Sequence, residues 1–362
     1  MTILLFIVVL VALIVVHELG HFFAAKWSGM KVEEFGIGYP PRALTVAKHK
    51  GTEYTLNWLP FGGFVKIKGE DGGDKAGDSF VGKPYHVQAL VIAAGIIMNI
   101  VFAWVLLSGT LALGMPRVLT DAEAAQAPDA RLIISRVVPE TPAEEAGLLA
   151  GDVVLKAIVG EEEFAETATE GFTAFVAKHE GVPVTLMVKR GEEELLLSAL
   201  PEKGLVATEP ERAALGIGIA AVGTISVPFY EAPIEGAKLT WSVTEQVAVG
   251  LAQFFTGIFT LSADLSQVSG PLGIAGAVGD ASENGLVALL TLTAIISVNL
   301  ALINIIPIPA LDGGRLLFII VEWITKKPIP AKIAGAANGI GFMFLIFLML
   351  LVTASDIFKA FG

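Results

Sequence analysis

The chain has 362 residues, of which 54% are hydrophobic and 17% charged, and its formal net charge is −12. Its mean hydropathy of +0.71 is above that of ordinary soluble domains, which indicates a membrane protein. The chain contains no cysteine, so disulfides are excluded and a metal site has to use His, Asp or Glu.

Four stretches are nearly free of charge over the length that a helix needs to cross about 30 Å of hydrocarbon. They predict transmembrane helices at 1–25, 87–114, 284–314 and 334–355. The first stretch lacks the basic start and the small-residue cleavage site of a signal peptide, so we expect it to be a span. The chain is therefore predicted to be a multi-pass α-helical membrane protein.

Charge predicts the sidedness of the spans. The loop 26–86 contains nine Lys and Arg residues and the link 310–333 contains four, so the positive-inside rule places both in the cytoplasm. Residues 115–233 are then extracytoplasmic. The range 115–235 carries 21 acidic against 9 basic residues, which argues against nucleic acid or anionic lipid headgroups as a partner of this region.

The segment 234–283 contains an uncharged run, QVAVGLAQFFTGIFTLSA, at 246–263. A span here would move the basic link 310–333 to the outside, against the charge rule. We therefore interpret 234–283 as an amphipathic, membrane-associated segment.

Strand patterns occur on both sides of the membrane. Residues 43–67 alternate, with a turn at 49–51 and a break at 62–63, and predict a β-hairpin or small sheet beside the membrane, with a plain loop as the alternative. In the outer region we predict strands at 131–139 and 152–160, a helix near 171–179 and a hairpin over 183–200. Between the first two strands, Thr141, Pro142 and Glu144 predict an N-cap, a first helical position and a capping box for a short helix that ends at Gly147.

The first span carries the string HELGH at 17–21. Because a helix advances about 100° per residue, His17 and His21 lie on one face and can bind one Zn²⁺. Glu18 stands beside them as a base for zinc-activated water. The alternative is that they are ordinary buried histidines, but burying these groups in hydrocarbon is costly unless they are paired or metal-bound.

Zinc hydrolases use three protein ligands and keep a fourth position for water. Asp312 is the candidate for the third ligand, because the third span ends at the same membrane face as His17. Pro307 and Pro309 are expected to break that helix, and Gly313 and Gly314 let the backbone approach a metal. A helix-ending turn with Asp312 as its cap is the alternative.

These motifs resemble the site-2 protease family, in its bacterial form with a PDZ domain, also described as regulator of sigma-E protease-like. The resemblance covers nearly the whole chain. It rests on four motifs and the outer domain: HELGH at 17–21, EFGIG at 34–38, SGPLGI at 269–274, NIIPIPALDGG at 304–314 and the PDZ-like pattern at 139–160.

The resemblance implies an intramembrane zinc metalloprotease with His17, His21 and Asp312 as ligands and Glu18 as the catalytic residue. It implies substrate handling by Asn304 and Pro307, and pairing of the hairpin 43–67 with an extended substrate. One PDZ domain is expected at about 128–205. The implied substrate is a transmembrane segment of a regulator, or a remnant signal peptide, trimmed beforehand by another protease. The implied location is the bacterial plasma membrane, with the active site near the cytoplasmic side.

One motif departs from the family pattern. The second span usually has Gly-Pro-x-x-Asn, whereas this chain has Gly95 and Asn99 without the proline. The shape of the second span is therefore open. Two other functions also stay open: a membrane-anchored HExxH peptidase with a site that projects into the cytoplasm, and a non-catalytic PDZ scaffold with a structural zinc.

Overall fold

The computed structural model describes residues 2–70, 76–191, 193–206, 208–260 and 269–361. The chain forms two compact units, of which one comprises the residues up to Leu113 and from Val227 onward, and the other is Gly114–Ser226. The boundary between the units follows the composition, because the apolar stretches all belong to the first unit.

The helices and strands follow in chain order. The first unit begins with α1 (Thr2–Trp27), β1 (Val32–His49), β2 (Thr52–Ile67) and α2 (Tyr85–Leu113). The second unit contains β3 (Met115–Leu119), α3 (Asp121–Ala124), β4 (Arg131–Val137), α4 (Pro142–Glu145), β5 (Val153–Val159), β6 (Glu162–Phe164), α5 (Thr169–Lys178), β7 (Val184–Arg190), β8 (Glu193–Ala199) and β9 (Ile217–Ile225). The first unit ends with α6 (Ala232–Thr260), α7 (Pro271–Glu283), α8 (Leu286–Ile305), α9 (Asp312–Thr325) and α10 (Ala331–Phe361).

Four helices of the described ranges are long and apolar enough to cross a membrane: Thr2–Trp27, Tyr85–Leu113, Leu286–Ile305 and Lys332–Phe358. Each of them overlaps one of the four predicted stretches. The helix α2 is continuous, so the missing proline of its motif leaves a regular helix.

The third of these helices is shorter than predicted. It ends at Ile305 rather than near residue 314, because Pro307 and Pro309 cannot continue a helix. The chain then turns, with Ala310 at a positive φ of 81°, and Asp312 begins a separate helix, α9, that the sequence analysis did not predict. A Cβ on Gly313 would come within 2.3 Å of the Ile306 carbonyl oxygen, so this turn is tight enough to require glycine.

The predicted membrane-associated segment 234–283 begins with one long helix, α6, which contains most of the uncharged run 246–263. Its residues Leu239, Val243 and Val247 pack against a buried cluster from α2 and α8. Part of the predicted amphipathic segment, 261–268, lies outside the described residues. The short helix α7 follows, and the carboxylate of Asp356 accepts hydrogen bonds from the backbone N–H groups of Gly270 and Gly273 at its start.

The strands β1 and β2 form a hairpin that is longer than predicted and begins at Val32. Its turn is the dipeptide Lys50-Gly51, with φ values of 48° and 79°, the backbone that a two-residue hairpin turn requires. The hairpin curls back on itself, because Phe35 pairs both with Val65 and with Tyr54. The two halves of β2 therefore flank the start of β1, and the bend between them falls at the predicted break, 62–63.

The second unit is built on a seven-stranded sheet with the order β3-β9-β4-β5-β7-β8, to which β6 adds beside β5. The predicted strands, the predicted helix and the hairpin are all present. The predicted capping box at Thr141 is wrong. The Thr141 hydroxyl makes no cap hydrogen bond to α4 and donates instead to the Val138 carbonyl over 2.6 Å, while the Glu144 side chain accepts from the Glu140 N–H.

An ion pair with a buried carboxylate holds the turn before β5. The Asp152 side chain is 1% exposed and accepts two hydrogen bonds from Arg190, at 2.7 and 2.8 Å, as well as one from the backbone N–H of Leu149 at 3.0 Å. These bonds, chiefly those from Arg190, hold the pKa of Asp152 below its usual range.

We predict that Asp152→Asn makes the stability of the second unit less dependent on acid. Because the folded pKa is lowered, the carboxylate stabilises the fold above its unfolded pKa of about 3.9, and this contribution is lost as the pH falls. We expect the variant to unfold roughly 5 °C lower at pH 7 and to differ less from the parent chain at pH 3. Thermal unfolding at pH 7 and pH 3, followed by the hydrogen exchange of β5, measures both differences. Glu211→Gln is the control, since that side chain is 94% exposed, and an equal effect of the control would contradict the prediction.

Candidate metal centre

Two helices supply a cluster of three side chains. His17 and His21 lie one turn apart on α1, with their Nε2 atoms 3.2 Å from each other. Asp312, the first residue of α9, places its Oδ2 atom 3.1 Å from His17 Nε2 and 3.3 Å from His21 Nε2. Among the described residues, these three side chains are the group of His, Asp or Glu whose ligand atoms are close enough together to bind one metal ion. The structure thus brings together the three residues predicted as ligands.

The cluster has the dimensions of a tetrahedral zinc site. A tetrahedral ion with bonds of about 2.0–2.1 Å keeps its ligand atoms about 3.3–3.4 Å apart, close to the three distances observed. Asp312 Oδ2 is buried, and no hydrogen-bond partner for it exists among the described residues. A buried carboxylate oxygen without a donor is expected where a cation binds. The donor set of two imidazoles and one carboxylate is one that zinc enzymes use.

Neighbouring groups orient both imidazoles. The Nδ1–H of His21 donates to the Val91 carbonyl over 2.8 Å, which leaves Nε2 as the lone-pair nitrogen that faces Asp312. The Asn99 amide lies 3.4 Å from His17 Nδ1, and its Oδ1 atom is buried with no hydrogen-bond partner in the described part of the chain. Reversing this amide pairs Oδ1 with the Nδ1–H of His17 and orients that ring in the same way. Asn99 is therefore a site residue whose role the sequence analysis did not assign.

Glycines allow α2 to lie directly against the histidines. A Cβ on Gly95 would stand 2.4 Å from His21 Nε2 and 2.9 Å from His17 Cε1. A Cβ on Gly20 would stand 2.3 Å from the Ala94 carbonyl oxygen. Both contacts leave no room for a methyl group, so these two positions determine how closely α1 and α2 approach at the site.

The cluster opens into a cavity of about 220 Å³. Glu18 lines it beside the three candidate ligands, and Gly63 of β2 lies close to Glu18, since a Cβ there would be 3.2 Å from Glu18 Cγ. The remaining lining residues are Tyr39, Phe64, Val65, Ile67, Glu70, Ile92 and Arg315.

The structure does not bring every predicted residue to this cavity. Asn304 lies half-buried on the last turn of α8 and Pro307 is exposed after it, and neither is among the described residues that line the cavity. Conversely, Glu70 and Arg315 line it without having been predicted. Arg315 directly follows the LDGG motif, which is the signal that pointed to it, whereas no sequence pattern marked Glu70.

The model of Peptidase family M50 matches residues 5–348 of the chain. The chain belongs to family M50. The match includes both the HELGH string on α1 and the start of α9, so the M50 assignment covers the three clustered side chains as well as the fold around them.

Curated relatives agree with the M50 assignment. A protein named "Putative zinc metalloprotease CPE1693" from Clostridium perfringens is 38% identical over 346 residues, which are 96% of this chain and 95% of the relative. The zinc metalloprotease RasP from Geobacillus kaustophilus is 30% identical over an alignment of 432 residues that covers 98% and 97% of the two chains. This M50 peptidase is accordingly a zinc metalloprotease of the site-2 protease type, and Zn²⁺ is its cofactor.

We predict that Gly95→Ala lowers the zinc content of the purified protein severalfold. Alanine favours a helix, so α2 persists while the added methyl group displaces the two imidazole rings. Gly109→Ala on the same helix is the matched control, because a Cβ there meets nothing within 4 Å. Elemental analysis of both variants measures the effect, and full zinc occupancy in Gly95→Ala would contradict the observed packing.

Proposed function

We propose that this M50 peptidase hydrolyses peptide bonds within transmembrane segments of other proteins. The observation that carries the proposal is the position of the cluster on a membrane-length helix. His17 precedes the end of α1 at Trp27 by ten residues, which at 1.5 Å per residue puts it about 15 Å along the helix from that end. A site at this depth suits a substrate that is itself in the bilayer.

In this proposal His17, His21 and Asp312 hold the zinc ion. When bound, zinc supplies a Lewis acid that polarises the scissile carbonyl and lowers the pKa of water. Glu18 takes the proton of the attacking water and delivers it to the leaving amine, a role that its place on the cavity wall permits. Gly63 and Phe64 of β2 form part of the cavity wall beside Glu18.

A strand edge beside the cavity supports the binding of an extended substrate. Residues 63–67 of β2 pair with β1 on one side, and the described strands leave their other edge unpaired. A transmembrane substrate has to be unwound before hydrolysis, because a helical peptide bond is shielded, and an added strand satisfies the backbone groups that unwinding frees. We assign Asn304 and Pro307 to the handling of the substrate backbone at the end of α8.

We propose that the second unit is a PDZ domain outside the cytoplasm that docks the new C-terminus of a trimmed substrate. A second strand edge supports this proposal: β3 pairs with residues 221–225 of β9, and no described strand pairs with the same edge at 217–220. Phe172 and Val176 of α5 pack in one core with Ile217 and Ile219. The basic loops suggest that the metal centre faces the cytoplasm of a bacterium, in its plasma membrane.

We predict that Glu18→Gln and Asp312→Asn fail in different ways. Glu18→Gln removes the proton acceptor, so we expect it to keep zinc and to lose about 10²- to 10⁴-fold in kcat. Asp312→Asn replaces a charged ligand, so we expect it to lose both zinc and activity. Elemental analysis and cleavage of a single-span model protein in proteoliposomes measure the two effects.

Each outcome separates this proposal from the alternatives. Full zinc and activity in Asp312→Asn would favour a peptidase whose third ligand is a different residue. Undiminished biological activity of Glu18→Gln would favour a non-catalytic scaffold. Neither result is compatible with hydrolysis by the cluster described above.

We predict that a chain without residues 114–226 cleaves substrates that still carry their outer domains. If the second unit acts as a size filter, its removal abolishes the requirement for prior trimming. The measurement compares cleavage of one model substrate with and without its outer domain, in the intact and shortened enzymes. If the shortened enzyme remains active on the trimmed substrate and inactive on the intact one, the filter model is wrong.

A further inference from the structure

An ion pair joins the cytoplasmic loop to the helix that carries Asp312. Arg315 lies one turn after Asp312 on α9, and its Nη1 donates to Glu70 Oε1 while Nη2 lies 3.5 Å from the Glu70 carbonyl oxygen. The guanidinium also stands 5.4 Å from the centre of the Phe80 ring, which is buried. Three contacts with two residues of the loop, Glu70 and Phe80, fix the direction of this side chain.

The other end of the pair is attached to the strand beside the cavity. Glu70 Oε2 accepts a hydrogen bond of 3.0 Å from the backbone N–H of Ile67, the last residue of β2. The Glu70 side chain is 17% exposed, and it lines the same cavity as Glu18 and Asp312. Glu70 thus bridges the end of β2 and α9.

We propose that Glu70 and Arg315 are a positioning pair that sets the β2 edge at 63–67 relative to the metal centre. This inference rests on the proposed function in so far as that edge receives the substrate. Val65, Ile67 and Ile319 already share an apolar cluster, but apolar contacts are non-directional and allow two elements to slide. An ion pair with defined partners removes that freedom, and placement within about 1 Å decides the rate of the chemical step.

The two residues of the pair carry opposite charges in the cavity that the candidate metal ligands line. Arg315 is the cationic side chain among the described residues that line the cavity. Its removal leaves Glu70 as an uncompensated carboxylate next to the candidate ligands, whereas removal of Glu70 leaves a cation that is 36% exposed to solvent. Arg315→Gln should therefore be the more harmful of the two neutral substitutions.

The kinetic test uses the full-length enzyme in proteoliposomes with the single-span model substrate. We expect Arg315→Gln to lower kcat by about 10- to 100-fold with KM changed less than about threefold and zinc content unchanged. The charge exchange Glu70→Arg with Arg315→Glu should restore kcat to within about tenfold of the parent enzyme, although each reversal alone should be more harmful. Asp78→Asn, which breaks the 2.8 Å pair with Lys68 in the same loop, is the control and should keep kcat.

A second measurement does not depend on activity. Because the chain has no cysteine, spin labels can be placed through Lys66→Cys on β2 and Ile324→Cys on α9, both at exposed positions. We expect Arg315→Gln to shift or broaden the distance distribution between the labels and Asp78→Asn to leave it unchanged.

The proposal is overturned by an unchanged label distance in Arg315→Gln, by loss of zinc from that variant, or by a charge exchange that restores nothing. The last result would indicate that Arg315 contacts the substrate itself. Failure of the proposed function looks different. In that case the parent enzyme and Glu18→Gln leave the transmembrane substrate equally uncut, while the effect on the label distance persists.

Discussion

The structure of the first unit depends on one electrostatic requirement. Two imidazoles and two carboxylates lie within or beside apolar helices, where isolated polar and charged groups are strongly unfavourable. Three of them converge to within 3.1–3.3 Å, a spacing that a shared divalent cation stabilises and that a set of unpaired groups does not. The close approach of α1 to α2 at two glycines and the early end of α8 both serve this convergence.

Water is a reactant, so a metal centre at the proposed membrane depth cannot be sealed in hydrocarbon. The chain meets this need with irregular backbone at the site, where α8 ends and Asp312 begins α9, and with the curled hairpin, whose second half lies beside Glu18. Non-helical backbone at membrane depth is tolerated where it lines a polar cavity. Glu70 and Arg315 line the same cavity, and their ion pair connects the end of β2 to α9.

The site residues that the sequence analysis identified are all polar groups in apolar surroundings. His17, Glu18, His21 and Asp312 are polar groups inside or at the end of apolar stretches, so they stand out against their neighbours. The proline positions predicted the break after α8, and the sequence at 49–51 predicted the hairpin turn. Asn99 belongs to a motif that the sequence analysis noted, but its role was not predicted, because its contact with His17 joins residues far apart in the chain.

Local chemistry therefore determined the class of the protein and its zinc chemistry. Helix periodicity places His17 and His21 on one face because it is a property of a few neighbouring residues, and hydropathy together with the family resemblance of the motifs identifies a membrane zinc protease. Only the tertiary structure showed that Asp312 begins a separate helix, how the hairpin folds back on itself, and that Glu70 reaches Arg315 across 245 positions of sequence. The physical reason is that these contacts depend on the packing of whole helices and strands, whose relative positions no short stretch of sequence encodes.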